Sequence, residues 1–313
     1  MNRGKRGAEA WLRQLGRDVR RDRMLYLMIL APLAFLLVFS YAPMYGVQIA
    51  FRDYNIINGI WDSPWVGLKH IRKFFSSYMF WRLMKNTLAL SAYSLAVFPL
   101  SLVLALLLNY MPNRRYKKTV QMVSYIPHFL STVVMCGMVL QFLDQRTGML
   151  NAFLGLFGVP AQSFMANPSA FPHVYIWSGV WQGVGYGSVI YIATLAGVSP
   201  ELHEAAIIDG ANIWQRIWHV DIPGVLPTFC ILLIMRCGSI MNVDFEKILL
   251  LQNDLNGKVS EVISTYVYKQ SFQNTFPQYS YSAAIGLFTS LVNMALLVTV
   301  NWASKRLSGN SLW

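Results

Sequence analysis

Only 13% of the 313 residues are charged, so each charge inside or between apolar runs has to be accounted for. The stretch ELHEAAIIDGANIWQRIWHVDIPGVLPT, Glu201 to Thr228, gathers Glu201, Glu204, Asp209, Arg216 and Asp221 between two long apolar runs. Arg236 and Asp244 stand in the apolar run that follows. A guanidinium at the centre of a membrane helix costs about 2.5–3.5 kcal/mol on insertion scales, so Arg236 must face protein, water or an anionic solute. On one ideal helix Asp244 would lie roughly 12 Å along the axis and about 80° around from Arg236, so each needs a partner elsewhere. Gln182 and Tyr186, at i and i+4, form a polar stripe beside Gly179, Gly183 and Gly187. That glycine spacing suits close helix packing, and the stripe equally suits a solute pathway. The sequence contains neither a G-x-x-x-x-G-K-[ST] phosphate loop nor metal-ligand spacing, and Cys136, Cys230 and Cys237 read as small packing residues. The chemistry expected is recognition and transmission of force, with no ATP hydrolysis by this chain alone.

Such residues must be held by helices in lipid. The chain is 55% hydrophobic with mean hydropathy +0.40, and its charged fraction is far below the ~25% of soluble domains. Six apolar stretches, 24–46, 87–109, 119–143, 172–198, 223–245 and 280–304, approach or exceed the ~20 residues needed to cross the hydrocarbon core. The expected fold is therefore all-α: a polytopic membrane protein with six transmembrane helices in one domain over 24–304. Pro32, Pro99 and Pro127 interrupt these runs, which is tolerated where neighbours satisfy the freed carbonyls. The net charge of +12 is concentrated in Arg3, Lys5, Arg6, Arg13, Arg17, Arg20, Arg21 and Arg23, in Arg114, Arg115, Lys117 and Lys118, and in Lys305 and Arg306. Six alternating helices put these clusters on one side, so both termini are expected in the cytoplasm and the loops near 60, 160 and 265 outside. The basic excess is topology rather than a nucleic-acid site. In the segment 1–23, Trp11, Leu12, Leu15 and Val19 share one stripe that suits an interfacial helix, the alternative being a disordered basic tail. Residues 305–313 form a cytoplasmic tail. The absence of an internal repeat argues against an inverted-repeat carrier.

The loop 199–223 is expected to be a cytoplasmic elbow. Ser199 caps a helix, Pro200 opens its first turn, and Glu201 complements the helix dipole. Gly210 accepts the left-handed conformation that a tight stop requires. A second short helix offers Ile213, Trp214, Ile217 and Trp218 on one apolar face, and Pro223 begins the next span.

The spacing Glu204-Ala205-Ala206, three residues, Gly210, nine residues, then Val220-Asp221-Ile222-Pro223 resembles the signature loop of ATP-binding-cassette importer permeases. Val220 and Ile222 stand where that family prefers Ile and Leu. The whole chain is similar to the six-span sugar permeases of the maltose-type branch, especially those for complex oligosaccharides such as alginate or pectin fragments. FEKILLLQN, Phe245 to Asn253, adds to that likeness. The resemblance implies a type I importer permease fold in a bacterial cell membrane. It implies that Glu204, Ala205, Ala206, Gly210 and Pro223 couple the chain to a cytoplasmic ATPase. It puts solute-facing positions at approximately His128, Gln182, Tyr186, Met241 and Asp244, to which Arg236 is added as a cation for an acidic solute. The implied partners are a second permease, two ATPase subunits that carry the ATP and magnesium, and an extracellular solute-binding protein. The implied substrate is an oligosaccharide. No enzymatic activity and no cofactor are expected on this chain. Alternatives are a permease of the same class for an amino acid or peptide, and an ion-coupled carrier or channel.

Overall fold

Prolines and glycines decide where the apolar runs stop being regular helix. In a computed structural model that describes residues 21–309, 311 and 312, the chain divides into two compact units, Met1–Lys69 and His70–Trp313. The stripe Trp11, Leu12, Leu15 and Val19 lies outside the described residues. The first unit carries the helix Arg23–Phe51, whose opening segment Arg23–Leu36 buries no residue. Its Leu, Met, Ile and Phe side chains suit the hydrocarbon core of a bilayer. A π-helical turn, Leu37–Tyr41, leads into Pro43. The widened turn accommodates a ring that lacks an N–H and would otherwise clash with the preceding turn.

In the second unit, Met79–Asn109, Ile213–Cys237 and Tyr279–Arg306 are long and apolar enough to cross a membrane, as Arg23–Phe51 is in the first. Arg114–Phe129 and Thr132–Phe142 together meet the same test but meet each other at 104°. The expected third span, 119–143, is therefore two helices. Pro127 is the cause: the chain tightens to a 3-10 turn over Ile126–Phe129, Leu130 becomes extended, and Ser131 caps the next helix through the Val134 N–H. The helix Ala170–Leu195 has 26 residues, about 39 Å at 1.5 Å per residue. It is not among the helices apolar enough to qualify by composition, because of its glycines, serines and Gln182. Those residues are tolerated because this helix packs against the segments around residues 90, 105, 120 and 230 rather than facing lipid throughout.

The glycines of this central helix divide into two pairs. A Cβ on Gly185 would collide with the Ser124 backbone, and one on Gly187 would stand 2.7 Å from Ser101 Oγ. These two make the close helix contacts. Nothing lies within 4 Å of a Cβ at Gly183, and Gly179 faces only the Lys247 ammonium. Of the expected seam Gly179, Gly183 and Gly187, only Gly187 makes a close helix contact; Gly185 makes another on a different side of the helix, Gly183 opens onto space and Gly179 leaves room for Lys247.

The fifth apolar run, read as one span over 223–245, is corrected at both ends. Helix begins at Ile213, so the expected separate short helix is continuous with the span, again through a π-helical turn (Ile217–Asp221) ahead of Pro223. It ends at Cys237, and residues 238–244 unwind before the helix Phe245–Leu251. Three side chains from three helices satisfy the freed backbone. Ser91 Oγ donates to the Ile240 carbonyl, Asn293 Oδ1 accepts from Met241 N at 3.0 Å, and the Tyr175 hydroxyl accepts from Asp244 N at 3.2 Å. Unwound backbone at membrane depth requires such partners.

Replacing one of them isolates its contribution. Asn293→Leu should leave the buried Met241 N–H unpaired and destabilise the fold by about 1–3 kcal/mol. The thermal midpoint of the detergent-solubilised protein, followed by size-exclusion fluorescence, should drop. An unchanged midpoint would show that the unwound segment does not depend on this bond.

Candidate functional site

Two places concentrate polar chemistry: the elbow after the central helix, and a cavity between the two helix breaks. At the elbow, Ser199 Oγ accepts from Glu201 N, and the helix Pro200–Ile208 follows. It ends at Gly210, φ +79°, with Ala211 N donating to the Ala206 carbonyl and Gly210 N to that of Ile207. That pairing is a Schellman motif, and it needs the left-handed residue that glycine supplies. Asn212 and Gln215 then bond each other's backbone N–H in a capping box that starts the next helix.

The nine-residue elbow helix buries none of its residues. Glu204 and Ala205 are exposed, Ala206 is half-buried, and Ile208 is 85% exposed. A helix this short is marginal alone, so its hold on the bundle matters. That hold is His203. Its Nε2 lies 3.5 Å from Oδ1 of Asp221, a carboxylate that is 0% exposed. Oδ2 of Asp221 accepts a 2.6 Å hydrogen bond from the Tyr110 hydroxyl, just beyond the helix Met79–Asn109. Burial, and next the bond to Asp221, push the Tyr110 hydroxyl up to about 12, so it remains a donor at neutral pH. The Arg216 guanidinium sits 5.3 Å from the centre of the Tyr110 ring. Asp221 Oδ1 has no completed hydrogen bond. A buried carboxylate in that state is expensive, and a small approach of His203 would relieve it. Asp221 therefore ties the elbow helix to the ends of two long helices. The sequence reading missed this role; the signal was a carboxylate one residue before an apolar position and a proline that open a span.

The cavity has a volume of about 700 Å³. His128, Leu130 and Thr132 reach it from the first helix break, and Arg236, Ser239 and Asp244 from the second. Gln182 and Gly183 line it from the central helix. Of the six expected pathway residues, His128, Gln182, Arg236 and Asp244 meet here. Gln182 also has a structural task, donating from Nε2 to the Leu130 carbonyl that the bend frees, at 3.1 Å. Tyr186 does not line the wall; its ring stacks on His128 at 3.9 Å with 3° between planes. Met241 is 1% exposed and packs with Leu83, Ile263, Tyr281 and Ile285. The resemblance put it on the pathway, but residues 238–244 leave the helix and turn it into the core. Asp244 is likewise off the helix of Arg236, and its Oδ1 caps the next helix by accepting from Lys247 N. Lys247, which the sequence reading passed over within FEKILLLQN, also lines the cavity.

Residues 97–309 match the family described as binding-protein-dependent transport system inner membrane component. Protein LplB of Bacillus subtilis is 38% identical, covering 94% of this chain and 92% of its own. The polygalacturonan/rhamnogalacturonan transport system permease protein YteP of the same organism is 37% identical, over 94% of this chain and 91% of its own. A chain in the crystal structure of a bacterial alginate ABC transporter, in complex with an alginate pentasaccharide-bound periplasmic protein, superposes with a TM-score of 0.87. It is 36% identical and covers 96% of this chain and 100% of that one.

The elbow anchor can be measured without reference to activity. Removing one partly buried polar contact costs about 1 kcal/mol, so His203→Ala should speed amide hydrogen exchange across Pro200–Ile208 roughly five-fold. Exchange in the central helix should stay the same. Equal exchange of the elbow helix in both proteins would mean that His203 does not hold it.

Proposed function

Because this chain belongs to the family of binding-protein-dependent transport system inner membrane components, we propose that it is one membrane half of an ATP-driven importer for an oligosaccharide. It works with a second permease subunit, two cytoplasmic ATPases that hold ATP and magnesium, and an extracellular solute-binding protein. Both termini and the elbow face the cytoplasm, in keeping with the basic clusters at 114–118 and 305–306. The observation that carries the reading is the elbow: a capped helix, exposed on its outer face, with Glu204 and Ala205 presented outward, Ala206 half-buried beside them and Asp221 at its base. The names of the relatives, a pectin-type permease and an alginate importer, support an oligosaccharide as the solute.

The geometry suggests how force travels. Closure of the ATPases moves the elbow helix, whose small Ala205 and Ala206 permit close approach and whose Glu204 offers a charge. The movement passes through His203 to Asp221 and on to Tyr110, and so reaches the ends of Ile213–Cys237 and Met79–Asn109 together. Both helices line the cavity, through Arg236 and through Ser91 and Ser94. Displacing them changes which side the cavity faces. Hydroxyl and amide groups there, on Ser94, Ser239 and Asn242, are suited to a polyhydroxylated solute.

Ala206→Arg adds bulk and charge to the elbow helix beside Glu204 and Ala205. It should leave the chain in the membrane and abolish transport and substrate-stimulated ATP turnover in the reconstituted complex. Gly210→Pro should do the same, because the Gly210 N–H is needed for the helix stop. Normal turnover in assembled variants would refute ATPase docking at the elbow. For orientation, a cysteine placed at Asn212 in a cysteine-free background should resist an impermeant thiol reagent applied to intact cells. Labelling from outside would overturn the topology.

A further inference from the structure

The cavity between the two helix breaks carries more positive charge than its own residues neutralise. Arg236 has five N–H donors, and one is engaged, with Ser94 Oγ at 2.7 Å. Lys247 is 3% exposed, its Nζ donates to the Tyr175 carbonyl at 2.7 Å, and it sits 4.9 Å from the centre of the Tyr175 ring. Among the described residues no carboxylate lies within ion-pair distance of either cation. The one carboxylate lining the cavity, Asp244, uses Oδ1 as the cap of the helix that carries Lys247.

A buried ammonium held only by a neutral carbonyl and the face of a ring is costly. Helix Phe245–Leu251 does not demand it, since the neighbouring core positions Ile248 and Leu251 are aliphatic. Room is nevertheless kept for it. Gly179 faces the ammonium, and a Cβ there would stand 2.9 Å from Nζ. Two cations against one carboxylate leave a surplus of one positive charge, which a single anionic group on the solute would neutralise. A carboxylate suits both donors, because the guanidinium fork binds it bidentately and the ammonium binds it as a point charge.

We propose that Lys247 and Arg236 form a carboxylate-reading pair in this cavity, so that the imported oligosaccharide carries uronate groups. The proposal rests on the importer reading above and adds the chemical class of its substrate. Asp244 does not oppose it: the surplus charge remains after its negative charge is counted, and its position at the cap directs it to Lys247 N.

The test uses the complete importer, with its partner permease, ATPases and binding protein, in proteoliposomes. The probes are trigalacturonate and its carboxyl-reduced, neutral counterpart. Lys247→Met keeps the length of the side chain and removes the charge. It should raise the half-saturating concentration for trigalacturonate about ten-fold and lower the acid-to-neutral uptake ratio by a similar factor. Lys247→Arg should recover most of the loss, whereas a merely packing lysine would be replaced better by methionine than by arginine. Arg236→Met should shift the ratio in the same direction, and it decides the matter if Lys247→Met fails to co-purify with its partners. If the neutral sugar does not pass the wild-type binding protein, rescue by arginine is the deciding measurement. Unchanged trigalacturonate uptake in assembled variants, or equal loss of both sugars, would overturn the proposal and leave the importer reading standing. If the wild-type complex imports neither sugar, the oligosaccharide reading fails and takes the proposal with it.

Discussion

A backbone N–H or C=O surrounded by hydrocarbon must find a partner within the protein, and the second unit of this chain is arranged around two places where the helix cannot supply one. At Leu130 a proline-driven bend frees a carbonyl, and Gln182 on the central helix takes it up. At residues 238–244 the chain unwinds, and Ser91, Asn293 and Tyr175 complete its bonds from three other helices. These bonds hold the helices in register around the breaks. Both breaks open on the same cavity, so the irregular backbone that would be costly against lipid lies where polar groups are useful.

The same constraint explains the residues at the cavity wall. Gln182 is at once a structural partner and a lining group, so its removal would disturb the bend as well as any contact with solute. Gly179 and Gly183 leave space at the cavity, whereas Gly185 and Gly187 bring two other segments close, so one helix both lines and packs within about two turns. The low hydropathy of the central helix follows from this position. It has less lipid to face than its neighbours and more polar groups to serve.

At the other end of the bundle the organising interaction is a buried carboxylate. Asp221 lies at the head of the helix that carries Arg236, receives a hydrogen bond from Tyr110, and stands within ion-pair range of His203 on the elbow helix. The helix between Asp221 and Arg236 spans fifteen positions, about 22 Å at 1.5 Å per residue, with Pro223 and Pro227 within it. That one helix connects the elbow to the cavity.

What the sequence determined by itself was whatever depends on composition and on short spacing. Apolar length and scarcity of charge specified a multi-pass helical protein. The residues from Ser199 to Pro223 specified an elbow with a capped start at Ser199 and a left-handed stop at Gly210, because caps and tight turns are built from residues adjacent in the chain. Tertiary structure alone decided where the long helices break and what faces the cavity. An apolar run reads the same whether or not it bends, so the 104° corner after Pro127 and the end of helix at Cys237 were not legible. Spacing along the chain does not fix facing across a break, which is why Met241 turned out to be core and Asp244 a cap. Lys247 entered the site, and Asp221 the elbow anchor, through partners on distant parts of the chain, Tyr175 and Tyr110. Such pairings exist only once the helices have packed.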